Sequence, residues 1–395
     1  MKLQINRAEF MRNWQIAERC ISPKSAINAL TGILVKAENS GGQSCVRLEA
    51  TDLKTSVKYI ASGALTEEEG EAVLPVKIVG ELMKKAPSDI FTLSVTDGKG
   101  ILISGRNRYR FTTYSPKEFP VLPESEGAPF FCSSPASELL KAISEGTVAS
   151  TVGEEFPKYL GASFFQLTGG ELRVVSTDGL RLSLSRFLPA EKGECRDFLL
   201  PVTGVRELQR LLASIPGDAA VRVAAESALV FFQMGNIEFS VRRVDTSFPQ
   251  YEKFLEDSKT SSLEVDRAEF NAALERIEII VRDFNRAVVM TLSPGGDLSL
   301  SGRAPETGEA DEIMPGIIDG EPMKTAFKCN FLIDGLKAMH SERVSLNFNG
   351  PDRHMIMQRP GDWNFIYLVM PLKLSDVDLS LHGGRGEGEN YSPEE

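Results

Sequence analysis

The sequence predicts an α+β fold in which one chain holds three similar domains, each with two helices on antiparallel sheets. Three observations lead to this prediction. Segments of the chain recur at a period of roughly 130 residues, each recurrence holds two stretches with helical spacing of apolar residues, and most of the rest alternates like short strands. The predicted domains are residues 1–127, 128–260 and 261–374, followed by a polar, disordered tail at 375–395.

The clearest recurrence is the Leu-Pro-Val of residues 74–76, which returns at 200–202 with a Glu-Leu pair at the same distance behind it. The Thr-Asp of 51–52 returns at 177–178, and the Asn-Arg-Ala-Glu-Phe of 6–10 is nearly repeated at 266–270. Solenoid repeats have periods of 20–50 residues, so this longer period indicates whole domains.

The first helix of each repeat follows the recurring start motif. Asn6 and Asp266 are predicted N-caps because each has a Glu three residues later, while Ser134 or Ser137 is the predicted start of a weaker middle helix. The apolar helical faces comprise Phe10, Trp14, Ala17 and Ile21 in the first repeat, Leu139 and Ile143 in the second, and Phe270, Leu274, Ile277 and Val281 in the third. The second helices are predicted at 77–86, 205–212 and 331–340.

Composition and charge exclude several classes of protein. There are 44 Lys+Arg against 55 Asp+Glu, giving a net charge of −11, so the chain is not a protein that is basic all over and coats nucleic acid. Five cysteines without a C-x-x-C pair indicate reduced thiols rather than a disulfide framework or a zinc site. With no signal peptide and no long apolar run, we expect a cytoplasmic location and no membrane partner.

The motifs that carry enzyme chemistry are missing from the sequence. We find no phosphate-binding loop, no G-x-S-x-G and no H-E-x-x-H, and the three histidines are not spaced as metal ligands. We therefore expect no catalytic residues, no metal and no cofactor. Asp52 and Asp178 could form a catalytic carboxylate pair, but a turn-forming role is favoured. An enzyme using these carboxylates and a modular adhesion or scaffold protein are the alternatives, although the odd cysteine count fits an extracellular protein poorly.

Four segments, together with the threefold repeat, give residues 1–374 a family resemblance. They are Ala-Thr-Asp-Leu at 50–53, Ser-Thr-Asp-Gly-Leu-Arg-Leu at 176–182, Ser-Phe-Pro-Gln-Tyr at 247–251 and Tyr-Leu-Val-Met-Pro-Leu-Lys-Leu at 367–374. The chain resembles the bacterial β sliding clamps, the processivity subunits of DNA polymerase III. The resemblance implies a non-catalytic protein with three DNA-clamp domains per chain, two chains of which close head to tail into a six-domain dimeric ring around duplex DNA.

Several partners are implied by the same resemblance. They are a second copy of the chain, duplex DNA bound without sequence preference, the catalytic subunit of DNA polymerase III, an ATP-driven clamp loader, and other polymerases and repair proteins with clamp-binding peptides. The helices would line the hole of the ring. Basic residues on their polar faces, and Lys24 in the turn after the first helix, would then face phosphate: Arg7, Arg12, Lys77, Lys84, Lys141, Arg206 and Arg210, with Arg19, Lys85, Arg276 and Lys337 as further members.

The resemblance also implies a peptide groove between the second and third domains. Its wall would consist of Leu160, Thr177, Gly179, Leu180, Arg181, Leu182, Pro249, Phe254, Leu368, Met370, Pro371 and Leu372. A core role for Leu182, Leu368 and Met370 is the alternative. Leu180 stands where the family commonly has His, and Phe254 where it has a smaller aliphatic residue, so we expect an altered preference at the peptide's terminal aromatic position.

Two further expectations concern the chain interface and the tail. The interface would bring Tyr109 of one chain against Ile279 and Ile280 of the other. Charged residues around these positions are Arg106, Arg108 and Lys84 on one side and Glu306, Glu309 and Glu312 on the other. The tail has no counterpart in the family pattern, and its residues 376–381 faintly resemble a groove-binding peptide, although an inert or partner-recruiting tail is favoured.

Overall fold

The computed structural model describes residues 1–40, 43–153, 157–193, 197–255 and 259–377. Cys195 and the predicted tail beyond Val377 lie outside these residues. Within them there are six α-helices, two in each repeat: α1 (Arg7–Glu18), α2 (Val76–Lys84), α3 (Ala136–Gly146), α4 (Val202–Leu212), α5 (Arg267–Val281) and α6 (Cys329–Ala338). Short 3₁₀ turns lie at Asn28–Thr31, Pro116–Glu118, Lys158–Gly161 and Glu252–Phe254.

Each repeat contributes nine strands within the described residues. Those of the first repeat are β1 (Lys2–Asn6), β2 (Gly32–Ser40), β3 (Gln43–Thr51), β4 (Thr55–Ala61), β5 (Ala64–Glu68), β6 (Gly70–Pro75), β7 (Ile90–Thr96), β8 (Lys99–Ser104) and β9 (Asn107–Thr112). Those of the second are β10 (Phe130–Pro135), β11 (Ala162–Thr168), β12 (Glu171–Thr177), β13 (Arg181–Phe187), β14 (Glu191–Lys192), β15 (Phe198–Pro201), β16 (Ala220–Ala225), β17 (Leu229–Met234) and β18 (Ile237–Arg242). Those of the third are β19 (Ser261–Asp266), β20 (Ala287–Leu292), β21 (Leu298–Ala304), β22 (Gly308–Met314), β23 (Ile317–Gly320), β24 (Met323–Lys328), β25 (Arg343–Phe348), β26 (Met355–Arg359) and β27 (Asp362–Val369).

The two predicted N-caps are confirmed. The side chain of Asn6 accepts a hydrogen bond from the backbone N–H of Glu9 at 3.3 Å, and Asp266 accepts one from Glu269 at 2.8 Å. The predicted start of the middle helix is wrong, because α3 begins directly after β10, which places Ser134 in the strand and Ser137 in the first turn.

Other predicted helix limits shift by a few residues. The second helices begin one to three residues earlier than predicted, since α2 and α4 start directly after a proline and α6 after Lys328, none of which supplies a capping side chain. The apolar faces of α1 and α5 are buried as predicted, with Trp14 and Phe270 fully enclosed. Ile21 is the exception: it follows the end of α1 and is only half-buried.

The chain divides by its contacts into two compact units. The first consists of Met1–Leu140 with Pro189–Val244, and the second of Lys141–Leu188 with Asp245–Glu395. This division cuts the middle repeat, because its sheets continue into those of its neighbours. The predicted domain limits at 127, 260 and 374 therefore stay predictions.

The first unit contains two antiparallel sheets. One has the strand order β5-β1-β7-β8-β9, and the other the order β14-β10-β16-β17-β18-β4-β3-β2-β6. In the longer sheet β18 of the second repeat pairs with β4 of the first, with Phe239 opposite Val57. A single hydrogen-bonded sheet thus joins two repeats edge to edge.

The second unit repeats this arrangement. One of its sheets includes the order β11-β12-β13-β27-β26-β25-β19-β23, and the other has the order β22-β21-β20-β24. Here β27 of the third repeat pairs with β13 of the second, with Leu368 opposite Leu182. Both junctions therefore follow one rule: the ninth strand of a later repeat pairs with the fourth strand of the earlier one. Among the described strands, β9 is the ninth strand that has no such partner, and β22 is the fourth strand that has none. Each lies at the end of its sheet.

The C-terminal end departs from the tail prediction at its first residues. Residues 374–377 form a helical turn, and Val377 is 8% exposed, packed with Ala287, Ala326, Leu372 and Leu374. Residues 375–377 thus belong to the folded chain. Within the described residues, no helix is long and apolar enough to cross a membrane.

Candidate functional site: an apolar groove, basic helix faces and two free edges

An apolar groove with a volume of about 160 Å³ opens on the surface of the second unit. Its lining consists of Tyr159, Thr177, Gly179, Leu180, Arg181, Leu182, Pro249, Gln250, Tyr251, Phe254, Leu368 and Met370. Nine of these residues are among the twelve predicted from the sequence. The fold thus brings together residues from β12, β13 and β27 and from the segments around Tyr159, Leu180, Pro249 and Met370.

The floor of the groove comes from the junction between β13 and β27. Leu182 and Leu368 lie opposite each other across this strand pair and are 6% and 4% exposed. Beneath them they pack with Tyr251 and other buried apolar residues of the same unit. The predicted alternative of a core role therefore holds for these two leucines, which are both core and groove floor.

The walls are apolar side chains that remain open to solvent. Leu180 is 47% exposed, Phe254 41% and Met370 39%. Large apolar residues gathered in one concavity typically mark a site of interaction. Met370 is therefore a wall residue and not a core residue, and its backbone N–H donates to the carbonyl of Leu180 at 2.9 Å, which links two wall residues.

The loop that carries Leu180 is fixed by its own side chains. The carboxylate of Asp178 accepts hydrogen bonds from the backbone N–H groups of Leu180 and Arg181, both at 3.0 Å. The hydroxyl of Thr177 donates to the carbonyl of Arg181 at 2.7 Å, and Gly179 takes a positive φ of 87°. The Thr-Asp-Gly sequence therefore acts as a turn that holds Leu180 at the rim.

The equivalent turn in the first repeat has the same design. Asp52 accepts from the backbone N–H groups of Lys54 and Thr55, at 2.9 and 2.6 Å, and the hydroxyl of Thr51 donates to the carbonyl of Thr55 at 2.8 Å. The turn-forming interpretation is confirmed for both aspartates. Each carboxylate is occupied by turn hydrogen bonds.

Arg181 is held from several sides. Its guanidinium donates to Asp178 at 2.9 Å, to Asp334 at 2.7 Å and to the hydroxyl of Tyr367 at 2.9 Å, and it lies 4.2 Å from the centre of the Phe331 ring. Burial alone would lower the pKa of Arg181, but Tyr367, Asp334 and Asp178 together raise it above its usual value. Arg181 therefore serves as a rigid support for the groove wall.

Phe254 forms the opposite wall and contacts two basic side chains. Its ring meets His354 edge to face at 6.3 Å, and the ammonium of Lys253 lies 5.3 Å from its centre. Burial lowers the pKa of His354, a hydrogen bond that the imidazole donates to the backbone of Phe254 opposes this shift, and the charge of Arg353 reinforces it. The neutral imidazole is thus favoured beside the groove.

Three predicted wall residues lie outside the lining. Leu160 is in the 3₁₀ turn beside Tyr159, and it is the Tyr159 side chain that reaches the groove. Pro371 follows the wall residue Met370 just beyond β27, and Leu372 turns away, since its N–H donates to Ala326 at 2.7 Å and its side chain packs with Val377. The chain leaves the groove after residue 370, so Pro371 and Leu372 do not line it.

Most of the predicted phosphate-facing residues are exposed. Within the described part of the chain, seven of them have no carboxylate within ion-pair distance: Arg12, Arg19, Lys24, Lys77, Lys84, Lys141 and Arg206. Five of these seven lie on helices α1 to α4. Their charges are therefore available to an outside anion.

Other predicted basic residues are already occupied by bonds within the chain. Arg7 is half-buried and bonds to the carbonyl of Ala86 and to Asp89, which ties α1 to the start of β7. The remaining intrachain pairs are Arg210 with Glu207, Lys85 with Glu81, Arg276 with Glu312 and Lys337 with Glu275. These residues carry less free charge than the sequence alone predicts.

The sheet edges at β9 and β22 carry the predicted interface residues. On β9, Tyr109 is half-buried, and Arg108 and Arg110 lie on the other face, opposite Ile103 and Ile101 of β8. Arg106 is exposed in the turn before β9. This edge is therefore basic.

The edge β22 is acidic, and α5 beside it exposes Ile279 at 59%. Glu306 is exposed in the turn before this strand. Two of the predicted acidic residues are already paired within the chain, since Glu309 binds Arg303 at 2.8 Å and Glu312 binds Arg276 at 2.6 and 2.9 Å. Complementary charge across an interface would therefore have to compete with these pairs.

Comparison with known proteins covers almost the whole chain. Residues 1–123, 135–250 and 253–373 match the family models described as the N-terminal, central and C-terminal domains of the DNA polymerase III beta subunit. The chain belongs to the DNA polymerase III beta subunit family. The predicted family and the three clamp domains are thereby confirmed, and the chain is a non-catalytic DNA polymerase processivity clamp.

Relatives of this clamp match over their full length. The beta sliding clamp of Synechococcus elongatus is 27% identical over 95% of this chain and 100% of its own. The solved DNA polymerase III beta subunit of Thermotoga maritima is 25% identical, with a TM-score of 0.85 over 94% of this chain and 99% of its own. The sliding clamp of Bacillus subtilis is 22% identical, with a TM-score of 0.88 over the same shares.

Three lining residues of this clamp were missed by sequence reasoning. Gln250 and Tyr251 directly follow the recurring Phe-Pro motif, so extending the groove assignment from Pro249 along that segment would have found them. Tyr251 donates its hydroxyl to Gln166 at 2.6 Å, which fixes the ring under the groove. Tyr159 directly precedes the predicted Leu160, so the sequence points to this segment but to the wrong one of the two residues.

Proposed function

We propose that two copies of this clamp form a head-to-tail ring around duplex DNA, and that the apolar groove holds short peptides of replication and repair proteins. Polymerase III catalytic subunit, clamp loader and other polymerases would bind there in turn. The proposed location is the cytoplasm, and the proposed domain limits remain 1–127, 128–260 and 261–374. The observation that carries the ring is the strand-pairing rule at the two junctions within the chain.

The pairing rule predicts which strand of a second copy would pair with β9 and which with β22. Inside the chain a ninth strand pairs with a fourth strand twice, as β18 with β4 and β27 with β13. The ninth strand β9 and the fourth strand β22 are left over at sheet edges. Because an unpaired edge is a template for another strand, β9 of one copy would pair with β22 of another. Such a contact is heterologous, and two identical contacts close a ring.

The side chains on the two edges support this pairing. Arg106, Arg108 and Arg110 would meet the acidic residues Glu306 and Asp311, the latter in exchange for its 3.4 Å pair with Arg303, and this favours the correct partner and orientation. The apolar contribution would come from helix α5, where Ile279 is exposed and Ile280 partly buried, and from Tyr109 on β9. Burying these side chains would supply the affinity.

The basic helix faces support binding to DNA without sequence preference. Arg12, Lys77, Lys84, Lys141 and Arg206 are exposed and free of ion pairs within the described residues, while the whole chain carries a net charge of −11. Phosphate contacts of this kind are screened, mobile and independent of base sequence. The protein could therefore remain on DNA and still slide.

The mechanism is topological. A closed ring cannot leave the duplex sideways, and an enzyme bound in the groove stays near its template at high effective concentration. The affinity of each peptide for the groove need only be moderate. Opening the ring requires a separate clamp loader, which implies an ATP-driven partner.

A retention assay on plasmid DNA tests the ring. The clamp is loaded by its clamp loader onto a nicked circular plasmid, separated from free protein, and the plasmid is then cut. We expect retention on the circle and loss after linearisation, because only a topological link depends on closed DNA. Equal retention on both forms would contradict the ring. Ile279→Asp should abolish loading, whereas Leu65→Asp, at an equally exposed apolar residue on β5 at the opposite end of the sheet from β9, should not.

A peptide titration tests the groove. A fluorescein-labelled Gln-Leu-Ser-Leu-Phe peptide should bind the intact chain saturably, and Met370→Asp should abolish binding because it places a charge on the apolar wall. Ile317→Asp is the matched control, since it adds the same charge at an exposed isoleucine outside the lining. Loss of binding in both variants, or in neither, would show that the groove is not the site.

A further inference from the structure

We propose that the C-terminal extension of the chain binds to its own groove and competes with partner peptides. The segment responsible is residues 378–382, with Leu379 and Leu381 entering the apolar groove. This inference rests on the groove function proposed above and names an internal ligand for the same site. The segment lies outside the described residues, and the groove lies within them.

The groove offers a surface that a leucine-containing segment would cover. Leu180, Phe254 and Met370 expose large apolar areas around the floor made by Leu182 and Leu368. The charged side chain of the lining is Arg181. Its guanidinium is already bound to Asp178, Asp334 and Tyr367, so it does not disfavour an apolar ligand. The site therefore favours apolar side chains, such as leucine.

The extension contains few apolar residues with which its leucines could pack. Beyond Val377 its large apolar side chains are Leu379, Leu381 and Tyr391, among glycines, serines and charged residues. A segment of this composition cannot bury its leucines against itself. Leu379 and Leu381 are two residues apart, so they point to the same side when the chain is extended. They could therefore enter one groove together.

The length of chain between groove and extension is sufficient. Met370 lines the groove, and Leu372, only two residues later, is fixed by its hydrogen bond to Ala326. Two extended residues span at most about 7 Å, and the seven residues from Leu372 to Leu379 span about 24 Å. The burial of Val377 shortens this tether, so binding in the groove and burial of Val377 oppose each other.

The charges around the groove also suit this occupant. Lys253 is exposed at the rim beside Phe254 and has no ion pair among the described residues. Asp378 directly precedes Leu379, and Asp376 lies two residues before Asp378. An acidic group at the start of the bound segment would therefore meet a free cation.

The test is the peptide titration repeated on full-length variants. Leu379→Ser with Leu381→Ser should tighten binding of the labelled Gln-Leu-Ser-Leu-Phe peptide about three- to tenfold, because a tethered competitor at roughly millimolar effective concentration is removed. Tyr391→Ser is the matched control, an apolar side chain lost from the same extension, and should change nothing. Affinity within about 1.5-fold of the unaltered chain in the double variant would overturn the proposal.

Two further measurements separate this proposal from the groove function. Val377→Ser should free the tether and weaken binding of the labelled peptide, and tighter binding in that variant would contradict the tether. A free peptide of residues 376–382 should displace the labelled peptide. If the labelled peptide binds but the free segment does not displace it, self-binding fails while the groove stands; if the labelled peptide binds no variant, both fail.

Discussion

Replacing Arg359 by Ala tests how the second unit is held together. The carboxylate of Glu145, on α3, is 2% exposed, and it accepts hydrogen bonds from Arg359 at 2.7 Å and from Ser185 at 2.6 Å. Arg359 is 10% exposed and also donates to Asp362 at 2.6 Å. Without Arg359, the buried Glu145 loses its counter-charge. Leaving a buried charge unpaired typically costs about 3–5 kcal/mol.

The two partners should differ in their effect. In Glu145→Ala, Arg359 keeps its bond to Asp362, so the cost should be smaller, about 1–3 kcal/mol. A cooperative unit of this size loses roughly 2–4 °C of Tm per kcal/mol, which gives a decrease of about 6–20 °C for Arg359→Ala. The double variant should cost less than the sum of the singles by about 0.5–3 kcal/mol.

Differential scanning calorimetry of the four proteins measures these effects. Arg282→Ala is the control, because its ion pair with Asp283 at 3.4 Å is 59% and 86% exposed and should contribute less than about 1 kcal/mol. Strict additivity of the two single variants, or a loss for Arg359→Ala no larger than the control's, would refute the reasoning. In that case the network would be in contact with water and would not be a buried pair.

Three further predictions concern the edge, the loop and the pH response. Replacing Ile279 and Ile280 by Asp should give monomers in sedimentation, and an unchanged dimer mass would place the interface elsewhere. Asp178→Ala should weaken peptide binding several-fold without unfolding the chain, because the turn that holds the groove rim loses two backbone bonds; unchanged binding would show that the loop is fixed by other contacts. The lowered pKa of His354 should make stability fall as pH drops below about 6.5, since the unfolded chain then binds more protons, and His354→Gln should remove this part of the pH dependence in denaturant titrations.

Much of the groove could be predicted because its residues lie in recurring, recognisable segments. The Thr-Asp-Gly-Leu-Arg-Leu segment and the C-terminal Tyr-Leu-Val-Met segment supply most of the lining. Leu372 could not be assigned correctly in this way, because its direction depends on a bridge to Ala326 in another strand. Tyr159 was missed for a similar reason: its role depends on where the 3₁₀ turn packs and not on its neighbours in sequence.

The free edges are another feature that local sequence does not determine. The residues of β9 and β22 do not indicate that these strands lie at the end of a sheet. The equivalent strands of the other repeats have a neighbour on both sides. The local sequence also does not determine which helix charges are free. Arg7 is predicted to face phosphate, but it binds Asp89, which is distant in sequence. Long-range pairs of this kind depend on which elements the fold brings into contact.

The sequence by itself determined the threefold repeat, the α+β class, the two capped helices and the family. These follow from local periodicity and from side chains that bond their own neighbours, as Asn6, Asp266 and Asp178 do. Only the tertiary structure decided that two repeats share one sheet, that β9 and β22 each keep one edge free among the described strands, and which cations there have no ion pair. The physical reason is that strand pairing and ion pairing are chosen among distant partners, and a linear sequence does not specify those distances.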